Sequence, residues 1–323
     1  MIAIDDEGES VNTIAKNPDY REFDKDMEPA LTINSGEEVT FETFDPLCSE
    51  VRTAEQFMEF RAENRRLIEQ GKKPLLGNPI TGPVYVKGAE PGQTLVAEIT
   101  AVKLDADGFQ LIGPNRAIVE DEVPDWTCYQ VDIEGDDLKL PNGVELPIQP
   151  VIGTFGNAPA GEITNLACRS CGNYDVPAAT IGSKLYIPIE VPGALFSLGD
   201  VHACQGDGEV VGAPEIGAHV TARLTVLDHK HSDWMMIEDE ENWYTPCPGA
   251  DEYQAARRAV FHNGEFISKK YDVEFKDALI VLTMIGKLAL SRTGKWGDNE
   301  PIACSSFSKK LVEKAVGNYR RTD

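Results

Sequence analysis

The stretch that most strongly defines this chain is Gly199-Asp200-Val201-His202-Ala203-Cys204-Gln205-Gly206-Asp207-Gly208-Glu209. It places one imidazole, three carboxylates and one amide among three glycines. Because successive side chains of a β-strand point to opposite faces, Asp200 and His202 are predicted to share a face, about 6–7 Å apart at Cα. That separation suits two ligands of one metal ion, or a base and the acid that orients it. The stretch therefore predicts a strand that ends in a functional site.

Most of the chain has the pattern of β-structure. Short runs rich in valine, isoleucine, threonine and aromatic residues alternate with glycine, proline and asparagine up to about residue 230. The clearest runs lie at 39–44, 83–86, 94–99, 184–191 and 220–227. One helix interrupts them, since Thr53-Ala54-Glu55-Gln56 fits a capping box and apolar residues recur at helical spacing up to Gly71. We interpret this helix as a surface insertion, and a lid over the site is the alternative.

After Asp233 the pattern changes to a mixture of helices and strands. Residues 251–268 and 275–290 both have the pattern of helices, and the second is nearly apolar all round, which predicts that it is buried. The predicted fold class is therefore mainly β, with a β-rich catalytic body at 1–232 and a smaller α+β part at 233–323. No low-complexity linker separates the two, so the second part is expected to pack on the first.

The charge and the cysteines limit the partners and the location. The chain has 323 residues and a formal net charge of −24, and so acidic a surface repels nucleic acid and anionic lipid. We therefore expect no nucleic-acid partner and no membrane partner. The first residues lack the pattern of a signal peptide, and the longest apolar run, 278–285, is too short to span a bilayer. The seven scattered cysteines are interpreted as reduced thiols, which predicts a cytoplasmic protein.

Several familiar catalytic motifs are absent from the sequence. It has no GxSxG elbow, no phosphate-binding loop and no GxGxxG after a strand. These absences count against lipase-type hydrolases, nucleotide hydrolases and dinucleotide enzymes. Cys168-Arg169-Ser170-Cys171 is a lone CxxC motif, and a zinc knuckle would need a second pair. A redox pair would be expected to open a helix, so structural thiols are the favoured interpretation.

Four groups of polar residues could converge on one site. They are Glu42 with Asp45, Asn173 with Asp175, the run 200–209, and Glu215. Carboxylates with a single histidine suit Zn²⁺, Mn²⁺ or Fe²⁺ if His202 is a ligand, and Ca²⁺ or Mg²⁺ if it is not. Such an ion would polarise a carbonyl and lower the pKa of bound water to ~7, and a spare carboxylate such as Glu42 or Glu215 could move protons. Taken singly, each acidic residue could instead cap a turn or face solvent.

Longer motifs in the chain resemble those of the acetamidase/formamidase family. They are PALTI at 29–33, VTFETFD at 39–45, NPITGPVYVKGAEPG at 78–92, GNYD at 172–175, and PGALFSLGD at 192–200 with the run to Glu209. The resemblance implies a β-sandwich-rich fold, a homo-oligomer, and hydrolysis of a short aliphatic amide, formamide or acetamide, to a carboxylate and ammonia. It also implies a divalent metal ion near Asp200 and His202, with zinc expected and calcium or magnesium as alternatives.

The resemblance also leads to roles for individual residues. The metal ligands are expected to be Asp175, Asp200 and His202. Proton transfer is assigned to Glu42 or Glu215, and substrate binding to Asn173 and Gln205. The chain departs from the family where Ser170 and Cys171 precede the glycine turn, and where 287–290 lacks the Asp and Arg that are common there.

Two other functions stay open at this point. One is hydrolysis of a different C–N bond or of a larger amide, and the other is a non-catalytic β-sandwich that binds a metal ion or small ligand.

Overall fold

The computed structural model describes residues 2–4, 10–72, 77–114, 118, 122–293 and 300–320. In these residues the helices are α1 (Ala54–Glu69), α2 (Glu252–Tyr271), α3 (Phe275–Ile285) and α4 (Lys309–Val316). The strands are β1 (Ile2–Ile4), β2 (Ser10–Ile14), β3 (Leu31–Ile33), β4 (Glu38–Thr43), β5 (Ile80–Val86), β6 (Thr94–Ile112), β7 (Thr127–Glu134), β8 (Asp137–Lys139), β9 (Glu145–Pro147), β10 (Val151–Asn157), β11 (Cys171–Asn173), β12 (Lys184–Pro188), β13 (Ala194–His202), β14 (Glu215–Leu227), β15 (Met236–Glu238), β16 (Asn242–Pro248), β17 (Gly286–Arg292) and β18 (Ile302–Ser308). The predicted mainly-β class is confirmed.

Two groups of strands organise the molecule. The long strands β6 and β14 pair antiparallel, and β14 also pairs with β4. Strand β13 lies between β10 and β5, and its last residues pair with the start of β14. Every residue of β10 and β13 is buried, as in strands that are covered on both faces. Polar side chains at the end of β13 are therefore enclosed by protein and need partners there.

All five predicted strands are present. Three are longer than the sequence pattern suggested, whereas the run at 184–191 ends at Pro188 as β12. The run at 94–99 continues to Ile112 as β6, and the run at 220–227 begins at Glu215 as β14. The predicted capping box of α1 is present. The Thr53 hydroxyl oxygen accepts from the Gln56 N–H, and the Gln56 side chain accepts from the Thr53 N–H.

The prediction for residues 275–290 was wrong in two respects. The helix α3 ends at Ile285, and the chain continues as β17, which pairs antiparallel with β18. Pairing with β18 thus takes precedence over helical continuation, which Gly286 also disfavours. Only Ala278 and Leu282 of α3 are buried, whereas Met284 is 71% exposed. An all-round apolar helix thus leaves one face uncovered.

The second half of the chain has an apolar cluster of its own and also joins the main sheet. That cluster contains residues of α2, α3, α4 and β18, among them Ile267, Leu282, Phe307 and Val312. Strand β15 pairs with β12, which in turn pairs with β6. The division at residue 232 remains a prediction. Among the described residues, none of the helices has the length and apolarity to cross a bilayer.

Candidate metal centre and active site

The site forms where β13 ends beside β10. The register of these strands places Gly153 across from Asp200, and His202 lies opposite Val151. Asp200 has φ +57° and Asp175 has φ +46°, which is the left-handed region that residues other than glycine seldom adopt. Backbone strain of this kind concentrates at functional sites, where the surrounding structure enforces it. The carboxylates of both residues lie close to His202.

Gly153 allows the two carboxylates to approach each other across β10. A Cβ atom at this position would lie 2.5 Å from Asp175 Oδ1 and 2.7 Å from Asp200 Oδ2. Both distances are shorter than real Cβ contacts, so any side chain at residue 153 would displace a carboxylate. The observed arrangement of the two carboxylates therefore requires glycine at position 153.

Asp175, Asp200 and His202 form a compact and buried cluster. Their ligand atoms all lie within 4.8 Å of one another. His202 Nε2 is 3.7 Å from Asp200 Oδ1 and 3.9 Å from Asp175 Oδ1. Within the described part of the chain, neither of these two oxygens has a hydrogen-bond partner, although both are buried. Since an unpartnered buried carboxylate oxygen is costly, the donor set fits a divalent metal ion.

Gln205 fixes the orientation and the tautomer of His202. Gln205 Nε2 donates to the Asp175 carbonyl oxygen at 2.6 Å, so the Oε1 atom faces the imidazole. This Oε1 accepts from His202 Nδ1 at 2.8 Å. Nδ1 therefore carries a proton, and in the neutral ring Nε2 presents its lone pair to the carboxylates. Metal-binding histidines are commonly held by such a hydrogen bond on the other ring nitrogen.

Two glutamates border the cluster. Glu215, the first residue of β14, lies opposite His202, and its Oε2 is 3.4 Å from His202 Nε2. Glu209 is 9% exposed and has φ +39°. Four buried carboxylates thus lie around one imidazole.

The electrostatics of the pocket favour an added positive charge. Burial opposes the charged form of His202, but Glu215, Asp200 and Asp175 outweigh it and raise the pKa of His202 well above its ordinary value. Burial and the charge of Asp175 likewise raise the pKa of Glu209 well above its ordinary value. Either bound protons or a metal ion would offset the negative charge of the carboxylates. The raised pKa values of His202 and Glu209 therefore also agree with a cation site.

Arg292 is the main site residue that the sequence did not reveal. It is 2% exposed, and its Nη1 donates to Asp175 Oδ2 at 2.6 Å and to the Asn173 carbonyl at 3.2 Å. Its Nη2 donates to the Glu300 carbonyl at 2.7 Å. Arg292 is the last residue of β17, two positions after the segment 287–290. The sequence feature that could have indicated Arg292 is its position as a charged residue soon after the apolar residues of 288–290.

Asp200 is held by two further residues that the sequence analysis did not single out. Its Oδ2 accepts hydrogen bonds from Asn78 Nδ2 and, at 3.1 Å, from Thr154 Oγ1. Thr154 Oγ1 is also 3.1 Å from Asn173 Oδ1. Asn78 opens the motif at 78–92, but that motif does not indicate a contact with Asp200. Thr154 lies in a buried strand, where no local pattern marks it.

The structure brings together six of the seven predicted site residues. Asn173, Asp175, Asp200, His202, Gln205 and Glu215 lie in this one network. In the described chain, no hydrogen bond or ion pair joins the Glu42 side chain to it. Glu42 pairs across the strands with the exposed His219, four residues along β14 from Glu215. Those four residues span roughly 13 Å.

Asp45, which the sequence analysis grouped with Glu42, has a structural role. Its Oδ1 accepts from the N–H groups of Leu47 at 2.9 Å and Ser49 at 3.0 Å. Its Oδ2 pairs with Arg52 at 3.2 Å. Asp45 therefore holds the turn that precedes α1.

Comparisons with known proteins relate the chain to formamidases and acetamidases. A sequence model described as the Acetamidase/Formamidase family matches residues 164–280. The chain is 24% identical over 307 residues to a protein of Schizosaccharomyces pombe provisionally named a formamidase, covering 75% of this chain and 71% of that protein. It is 34% identical over 95 residues to an acetamidase from Mycolicibacterium smegmatis, covering 25% of this chain and 23% of that protein.

A solved structure extends the likeness to almost the whole chain. The acetamidase from Bacillus halodurans superposes with a TM-score of 0.82 and 27% sequence identity, covering 94% of this chain and 99% of that one. Fold and site together define a mainly-β protein with a buried centre of carboxylates and one imidazole. The chain resembles the acetamidase/formamidase family in sequence over residues 164–280 and resembles an acetamidase in fold over almost its whole length.

Proposed function

We propose that this protein is a metal-dependent amidohydrolase that cleaves a short linear amide, formamide or acetamide, to a carboxylate and ammonia. The observation that carries the proposal is the cluster of Asp175, Asp200 and His202, with two unpartnered buried oxygens and one imidazole nitrogen facing each other. The names of the relatives supply the reaction class. The enclosure of the cluster, whose residues are at most 3% exposed, favours a small substrate.

The proposed metal ion is zinc, held by Asp175, Asp200 and His202. Three protein ligands, one of them a neutral imidazole, leave a position open, as is usual for catalytic zinc. Calcium and magnesium are the alternatives. They rank below zinc because both prefer oxygen ligands and neither needs an imidazole. When bound, such an ion supplies Lewis-acid polarisation of the amide carbonyl and acidifies a water molecule.

The protein's own groups move the proton and hold the substrate. Glu215, beside His202 Nε2, is the proposed base: it takes a proton from the attacking water and returns it to the amide nitrogen. The new C–O bond then replaces the C–N bond, and the nitrogen leaves as ammonia. The Asn173 side chain, whose Oδ1 lies 3.1 Å from Thr154 Oγ1, is proposed to donate from Nδ2 to the substrate.

Two residues are proposed to position others. Gln205 has both ends of its amide engaged by protein groups, so we now assign it to holding His202 rather than to binding substrate. Arg292 fixes one oxygen of Asp175 and thereby leaves the other directed at His202.

The test is ammonia release from formamide, acetamide and propionamide, measured before chelation, after chelation and after metal add-back. We expect release that chelation abolishes and one ion restores. H202A is expected to lose both metal and turnover, whereas H229A, at an exposed histidine, retains them. Metal-independent release would contradict the metal proposal, and no release from any amide with any ion would contradict the amidase proposal.

We further propose that the protein is a homo-oligomer of the cytoplasm. The support for self-association is an exposed apolar face formed by α2, α3 and β17, whose largest members are Tyr253, Phe261, Phe275 and Leu288. Residues 275–290 carry a net charge of only +1 in a chain of −24, so two copies repel each other least at this face. The support for the location is the set of seven cysteines, all present as free thiols.

A further inference from the structure

The CxxC motif lies on a tight turn beside the site and is not used by the proposed reaction. The Cys168 N–H donates to the Cys171 carbonyl at 2.8 Å, so Arg169 and Ser170 form the turn between two facing cysteines. The two sulfur atoms are 3.5 Å apart. A disulfide bond is about 2.05 Å long, so closing the gap takes a movement of roughly 1.5 Å, within the reach of side-chain rotation.

The two thiols differ in exposure and in acidity. Cys171 is completely buried, whereas Cys168 is partly accessible. The Cys171 thiol donates a hydrogen bond that stabilises the Cys168 thiolate and, against the effect of burial, lowers the pKa of Cys168 to about 6. Burial raises the pKa of Cys171 well above its ordinary value. An accessible acidic thiol beside a buried partner is the arrangement of redox-active cysteines.

We propose that Cys168 and Cys171 are a reversible dithiol–disulfide pair that exchanges with small-molecule disulfides. The Cys168 thiolate attacks a disulfide RSSR, forms a mixed disulfide and releases RS⁻. Cys171 then gives its proton to the released thiolate and attacks Cys168 Sγ, which expels the second RS⁻. This second RS⁻ takes from solvent the proton that Cys168 released when it ionised. In the balance, two cysteine thiols are oxidised and RSSR is reduced to two RSH.

This proposal revises the structural interpretation drawn from the sequence. That interpretation expected a redox pair to open a helix, where the backbone would stabilise the thiolate. Here the hydrogen bond from Cys171 and the N–H groups of the turn do so instead. Among the histidine, cysteine, aspartate and glutamate side chains of the described residues, only Asp175, Asp200 and His202 have the spacing of metal ligands. The two cysteines therefore do not form a metal site with neighbouring described side chains.

The pair is connected to the site by its position in the chain. Cys171 opens β11, and the same strand ends at Asn173. The Tyr174 hydroxyl donates to the Cys168 carbonyl, and Asp175 follows directly. A bond between the sulfurs would tie the start of β11 to the segment before the turn.

The test uses the folded protein and oxidised glutathione. After incubation, free thiols are blocked with N-ethylmaleimide, and the protein is digested with trypsin without reduction and analysed by mass spectrometry. Trypsin cuts after Arg169, between the two cysteines, so the reduced chain yields separate peptides 140–169 and 170–184. We expect these peptides to remain joined, with a mass two hydrogens below their sum, and dithiothreitol to separate them. Full labelling of both thiols after oxidation would overturn the proposal.

Single cysteine variants test whether Cys168 attacks the disulfide first and Cys171 completes the exchange. C171S is expected to trap glutathione on Cys168, because the thiol that completes the exchange is missing. C168S is expected to give neither a linked peptide nor a modified Cys171, which is buried. C204S, at another partly buried thiol, is the matched control and is expected to form the linked peptides as the wild type does. Linked peptides that form in the wild type only in urea would also contradict the proposal, because the folded hairpin would then not bring the thiols together.

Discussion

At the scale of single residues, Glu215 and Glu42 are a matched pair of carboxylates, one in contact with His202 and the other outside the network. E215Q removes the proposed base and is expected to lower kcat by roughly 10²–10⁴-fold, the usual contribution of such a group. E42Q is expected to leave kcat close to the wild-type value. Steady-state kinetics with the preferred amide, alongside metal analysis of both variants, measures the difference.

The metal analysis separates two reasons for loss of activity in E215Q. Retained metal with lost turnover supports the role of Glu215 in proton transfer, whereas lost metal would make it a ligand. An E42Q variant as impaired as E215Q would contradict the choice between the two glutamates.

Strand periodicity in the sequence accounts for one pair of site residues, and the other predicted site residues come from the polar groups and motifs around it. Asp200 and His202 are two positions apart on one strand, so their shared face could be predicted. Arg292, Asn78 and Thr154 reach Asp175 and Asp200 through long-range strand pairing, which a single sequence does not specify. The role of Gln205 depends on which end of its amide faces the imidazole, and only the three-dimensional contacts determine that.

At the scale of elements, the close approach of β10 to the ends of β11 and β13 depends on Gly153. G153A introduces a Cβ atom 2.5 Å from Asp175 Oδ1, so a carboxylate must move. We expect loss of bound metal and a fall in kcat/KM of roughly 100-fold or more, since small misplacements of catalytic groups have effects of that size. Metal content and kinetics are the measurements.

The control for this variant is G161A. A Cβ atom at Gly161 meets nothing within 4 Å, and this glycine has no positive φ. G161A should therefore match the wild type in metal content and activity. Full metal occupancy in G153A would show that the carboxylates have more room than the structure indicates.

Strands and helices were predictable to different degrees. The capping box located α1, because its signal is local and specific. The end of α3 was not predictable, since the largely apolar stretch from Phe275 to Leu290 suits a helix and a buried strand equally well. The choice between them comes from pairing with β18, a partner that lies beyond the run.

At the scale of the whole molecule, the face of α2, α3 and β17 is apolar in an otherwise acidic protein. If two copies meet there, L288E places a negative charge in the contact and is expected to yield monomers. Size-exclusion chromatography with light scattering measures this. L146E changes an equally apolar residue, 50% exposed on β9, and is expected to leave the assembly intact. A wild-type protein that is monomeric at micromolar concentration would contradict self-association.

The contact between Arg292 and Asp175 also has a consequence for biosynthesis. Asp175, Asp200 and His202 leave the ribosome more than eighty residues before the arginine that holds the first of them. A nascent chain that has reached His202 already contains every proposed ligand but not the group that sets the orientation of Asp175. The order of translation thus delays a fully formed centre until β17 has been made, so a prematurely terminated chain would carry the ligands without the finished enzyme.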